Sequence, residues 1–220
     1  MFPDRLRPKG LEFPACGTCN VQTSPDEALV AFFARTVGNH RFPQGRPDKG
    51  LKGAVQAVHR TFPGLLRQIT HRVWLNRSGV LRRVLAINGN NHQVETSVCR
   101  VAAKLALATY YDHHGVPAPT TVKINTMWTH NQNPHAAPGV AGLLAQLPAS
   151  KHLSQGAKWD TQDTFYVRYF ADSSVFFAVA ILHESLALMA QITDASYTQG
   201  WMPWHRVWLP VAGKGIQALP

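Results

Sequence analysis

The sequence predicts an α+β protein in which helices pack on an antiparallel sheet, with a small appendage at the amino end. Three observations carry this. Apolar residues recur at helical spacing over 25–37 and 93–114. Short apolar or alternating runs flank turn residues, at 72–75 and 80–87 around Asn76-Arg77-Ser78-Gly79, and at 164–170 and 175–183 around Asp172-Ser173. A chain of 220 residues that is 45% hydrophobic can bury the core of one domain.

Taken in order, residues 1–23 are rich in Pro, Gly and Arg and read as a loop or hairpin arm. Ser24-Pro25-Asp26-Glu27 then supplies an N-cap, a first-turn proline and a capping-box glutamate for a helix over 25–37, which Gly38 ends. Pro43, Gly45, Pro47, Gly50 and Gly53 mark 39–53 as a basic linker. A short helix over 52–60 leads to the strands at 72–75 and 80–87, on which arginines alternate. The long helix over 93–114 stops before Gly115 and Pro117. A strand at 122–127, a loop over 129–138 and a helix near 140–147 follow. Beyond them come the hairpin at 164–183, a strand at 186–192, and a tail whose Trp201, Trp204 and Trp208 can pack across the sheet. The expected divisions are 1–38, 39–53 and 54–220.

The chain carries 22 Lys and Arg against 12 acids. Between residues 35 and 83 lie eleven of the basic side chains: Arg35, Arg41, Arg46, Lys49, Lys52, Arg60, Arg67, Arg72, Arg77, Arg82 and Arg83. Their only acidic company is Asp48, so this window holds the whole net charge of +10. Concentrated positive charge suits a polyanion, because each neutralised phosphate releases counterions. The plainer reading is a solvated basic face. The longest apolar run, Val175–Leu182, is far short of the roughly 18 residues that cross a bilayer, and Met1-Phe2-Pro3-Asp4-Arg5 is unlike a signal peptide. A cytoplasmic protein without a membrane partner is expected.

Of three cysteines, Cys16 and Cys19 are spaced to grip one tetrahedral ion, and two further ligands must come from elsewhere. Cys99 falls in the apolar pattern of a helix and reads as a small buried hydrophobe. His113 and His114 end a helix, where they meet its dipole favourably, and neither they nor His130, His135 and His183 have the spacing of a second metal half-site.

Phe2-Pro3, Leu6, Gly10 and then Cys16-Gly17-Thr18-Cys19-Asn20, ahead of a helix, resemble the closing half of the motif in HNH endonucleases of the CxxC…H…CxxCN branch. More loosely, 104–111 followed by Gly115 looks like a helix of bacterial HNH-like proteins with a long carboxyl extension. The resemblance implies a partial zinc-binding ββα-metal motif ahead of the antiparallel sheet, with structural zinc on Cys16 and Cys19. It implies that Asn20 helps hold a catalytic divalent metal such as magnesium, and that nucleic acid, DNA before RNA, is the partner. In the family a His ahead of the Phe-Pro pair is the general base and a first CxxC completes the zinc cage. Both would fall before Phe2, so the expectation is a longer reading frame, or a binding protein that does not cut. A thiol redox role for Cys16 and Cys19 is the rival from another class, weakened by a helix start expected six residues past Cys19. An RNA-binding or toxin-like module is not separated from these by the sequence.

Overall fold

A computed structural model describes residues 17–36, 49–75, 81–86, 91–130, 137–147, 149–151, 165–183, 185–197, 206–211 and 215–218. The fold is α+β: four described helices accompany an antiparallel sheet of seven strands and a separate two-stranded ribbon.

The first helix, α1 (Gly17–Thr36), starts seven residues before the expected cap, Ser24, and carries Pro25 inside it. Proline has no N–H to give the carbonyl four residues back, so the Ser-Pro-Asp-Glu signal reads locally as a helix start. Tertiary contacts override it. Lys104 Nζ donates to Asn20 Oδ1 at 3.1 Å, to Thr23 Oγ1 at 2.8 Å and to Glu27 Oε1, which ties the first three turns of α1 to the long helix described below. Leu29, Val30, Phe32, Phe33 and Ala34 are buried from the same helix. The second helix, α2 (Lys49–Thr61), begins inside the stretch expected as linker and buries Ala54 and Val58. Phe62 and a 3-10 turn, Leu65–Gln68, then lead into β1 (Thr70–Leu75) and β2 (Leu81–Ala86). These two strands pair with each other, and with no other described strand.

The long helix, α3 (His92–His114), agrees with expectation at both ends. The Asn91 side chain accepts from Val94 N–H at 3.1 Å, and Gly115 takes the left-handed conformation (φ 73°) that closes the last turn on Tyr111. Its buried stripe mixes Val94, Val98 and Val101 with Cys99, Ala102, Ala103 and Ala106, small residues that let it lie close to the sheet.

The large sheet is formed by β3 (Val122–His130), β4 (Ala149–Lys151), β5 (Phe165–Ala171), β6 (Val175–Leu182), β7 (Leu186–Asp194), β8 (Arg206–Val211) and β9 (Gly215–Ala218). Its order is β4-β5-β6-β7-β3-β8-β9. The strands β6 and β7 lie near the middle and are buried almost throughout, which accounts for their near-continuous apolar runs. The hairpin expected around Asp172 is present: Asp172 Oδ1 accepts from Ser174 N–H at 2.7 Å and Val175 N–H at 2.8 Å. The tail differs from expectation. Instead of packing across the sheet it extends it, and Trp208 in β8 is wholly buried. Trp201 and Trp204 lie outside the described residues.

One face of the sheet meets α1 and α3. There Leu29, Phe33 and Val98 share a hydrophobic cluster with Val167, Leu182 and Leu188. The other face carries Phe177, Val179, Ile181 and Met189, packed with Val140, Leu143 and Leu144 of α4 (Ala137–Gln146). The turn between β6 and β7 joins α1 to the sheet: Ser185 Oγ donates to Ala34 O at 2.8 Å, and His183 beside it has φ 51°.

Candidate nucleic-acid interface and cysteine pair

Of the eleven basic residues in the window, Lys52, Arg60 and Arg67 are seen at the surface. The amphipathic pattern of α2 puts them there. Ala54 and Val58 face the core, and Lys52, Gln56, His59 and Arg60 take the exposed positions, with Arg67 on the turn that follows. Among the described residues none of the three makes an ion pair. An open groove of about 450 Å³ runs along this face, lined by Val55, Gln56, His59, Arg60 and Leu66.

Arg35 does not join them. It is 8% exposed, and its guanidinium lies where a Cβ at Gly50 would come within 2.7 Å, so Gly50 is what lets α2 start against it. Arg72, Arg82 and Arg83 lie in the ribbon, where Arg72 pairs with Val84, Arg82 with Trp74 and Arg83 with Val73. Lys49 is the first residue of α2. Arg41, Arg46 and Arg77 lie outside the described residues.

Cys16 also lies outside them, and Cys19 belongs to the first turn of α1. The expectation that the helix starts six residues past Cys19 is therefore corrected: Gly17 is its first residue. Asn20 is exposed, and its Oδ1 accepts from Lys104. No three His, Cys, Asp or Glu converge as a metal site among the described residues. Cys99 is fully buried, and burial pushes its thiol up to about 12, which makes it an unreactive hydrophobe as the sequence suggested. His113 and His114 lie in an aromatic group with Tyr110, Tyr169 and Phe176 at the end of α3.

A polar row on the α4 side of the sheet was not foreseen. Gln191 is 1% exposed with neither amide atom hydrogen-bonded among the described residues, and the buried hydroxyls of Thr129 and Thr193 are unpartnered there too. Gln191 pairs in register with Phe177, and Thr193 with Val175. Both partners line a pocket of about 290 Å³ with Leu147, Phe170, Asp172 and Tyr197. A glutamine inside the apolar run 186–192 is the sequence signal for this row.

No described helix is long and apolar enough to cross a membrane. No family model, no curated protein and no solved structure matches this chain.

Proposed function

We propose that this is a cytoplasmic DNA-binding protein related to HNH endonucleases, whose basic window engages the phosphate backbone. In this reading Cys16 and Cys19 hold half of a structural zinc site. Phosphodiester hydrolysis belongs to it when a general-base His and a first CxxC are supplied in the same reading frame. The supporting observation is the outward face of α2: Lys52, Arg60 and Arg67 are exposed and make no ion pair among the described residues, in the window that holds the entire excess charge. Exposed cations of this kind suit an external polyanion.

The test is binding to duplex DNA over a range of salt. The wild type is expected to weaken steeply as salt rises. Replacing Lys52, Arg60 and Arg67 together by Glu is expected to weaken binding about tenfold or more and to flatten the salt dependence. Because all three are exposed, folding stability should change by no more than about 0.5 kcal/mol per site. Unchanged affinity would remove this surface from the proposal.

One observation favours a second reading of the cysteine pair. With α1 starting at Gly17, the helix begins beside the cysteine pair instead of six residues past it, which removes the objection that the sequence raised to a dithiol role. Thiolate is what zinc binding and dithiol redox chemistry both need. Elemental analysis separates them: zinc that disappears in the Cys16→Ser, Cys19→Ser variant supports the metal site, and metal-free protein with a reducible disulfide supports the redox role.

A further inference from the structure

We infer that the β1–β2 ribbon is a duplex-DNA contact that enters the major groove through the face carrying positions Arg72, Trp74 and Arg82, with α2 following the adjacent phosphates. This rests on the nucleic-acid reading above and commits it to duplex DNA.

The register supplies the argument. Successive positions of a strand fall on opposite faces of a ribbon, and paired positions share a face. With Arg72 opposite Val84 and Trp74 opposite Arg82, one face carries Thr70, Arg72, Trp74, Arg82, Val84 and Ala86. The other carries His71, Val73, Leu75, Leu81, Arg83 and Leu85. Four aliphatic positions therefore share the second face, and two arginines bracket a tryptophan on the first. A two-stranded ribbon is marginal alone and is stabilised by covering an apolar face; four aliphatic positions mark one face as suited to that, and the face with positions 72, 74 and 82 is the one suited to a polyanion.

Dimensions favour a duplex. The ribbon has six residues per strand, a length of about 20 Å, and the major groove, about 12 Å wide, admits a two-stranded ribbon. Diagonal positions such as 72 and 82 stand about 7–8 Å apart, roughly two base-pair rises. Arginine forks pair with the O6 and N7 edge of guanine, the commonest specific contact in that groove. Proteins that hold single strands instead line up successive aromatics, and this face has the one tryptophan. Arg67 lies three residues before β1, so the exposed cations of α2 and its following turn lead directly into the ribbon.

The experiment uses the full chain, a guanine-containing duplex and dimethyl sulfate, which methylates guanine N7 in the major groove. Bound wild-type protein is expected to protect N7. Arg72→Ala with Arg82→Ala should remove that protection and weaken duplex binding about tenfold or more, whereas Arg83→Ala should cost less than about threefold. Arg72→Lys with Arg82→Lys preserves charge should the alanine pair fail to fold. It is expected to keep the salt dependence and lose the N7 protection, because lysine lacks the planar fork. Unprotected N7, an Arg83→Ala loss equal to that of the pair, protection retained in the lysine pair, or tighter binding to single strands would each overturn the ribbon assignment while leaving DNA binding through α2 intact. Failure to bind any nucleic acid would overturn both.

Discussion

Arg100, Lys104 and Arg206 each meet an acid across an element boundary: Asp26 at 2.8 Å, Glu27, and Glu95 at 2.8 Å. Lys52, Arg60 and Arg67, the same residue types earlier in the chain, meet none among the described residues. The difference follows from where the acids are. Eleven of the twelve acids lie outside the window from 35 to 83, and three of them have been placed against α3 or beside it. Around α3, then, cations serve the fold. Along α2 they leave a positive face that no acid neutralises among the described residues.

The sharpest way to press on this contrast is at Trp208. The ring is completely buried, its Nε1 donates to Thr126 Oγ1 at 2.9 Å, and Arg100 sits 5.5 Å from its centroid. Trp208→Ala is expected to cost about 3–5 kcal/mol in urea unfolding, through lost transfer energy and the cavity left behind. A loss under about 1 kcal/mol would mean that β8 is not a packed part of the sheet. The neighbouring ion pair comes next. Asp26 is almost fully buried and depends on Arg100 for its charge partner, but Arg100 is about a third exposed, so solvent screens part of the interaction. Arg100→Met is expected to cost about 1–3 kcal/mol, and adding Asp26→Asn should recover part of that, because the uncompensated carboxylate is then gone. Neither change should alter the salt dependence of DNA binding. If Arg100→Met flattened it, the division between structural and binding cations would fail.

The elements legible in the sequence are those whose signals are local. The apolar spacing over 93–114 and Gly115 after it mark α3, and Asp172-Ser173 marks the β5–β6 turn because a carboxylate can satisfy the turn's own N–H groups. The start of α1 was illegible for the opposite reason. Its first turns are held by Lys104, more than eighty residues away in the chain, and Ser24-Pro25 gives a false local start. The strands β8 and β9 likewise depend on pairing with β3 and with each other more than on their own short pattern. For the candidate interface, composition found the charged window but could not tell Arg35, enclosed by α2, from Lys52, exposed on it. Nor could it reveal that Arg82 and Arg83, consecutive in β2, take positions on opposite faces of the ribbon.

His130 offers the mildest test, by proton rather than by substitution of the core. It ends β3 beside Trp128, with ring centroids 6.2 Å apart, and its buried Nδ1 has no hydrogen-bond partner among the described residues. Burial holds its pKa below the ordinary 6.5. The unfolded chain therefore takes up this proton near pH 6.5, while the folded protein resists until lower pH. Between those two values the unfolded state binds more protons, so stability falls as pH drops below 6.5 and levels off once the folded group also titrates. His114, held low by burial and by the neighbouring His113, contributes in the same direction, so the informative quantity is a difference. His130→Gln should lose less stability than wild type between pH 7.5 and pH 5, measured by thermal or urea unfolding, with the gap closing above pH 7. Identical pH profiles would mean that the imidazole reaches water as freely in the folded protein as in the unfolded chain. The junction of β3 with α1 would then be looser than the packing of Phe33 on Trp128 implies.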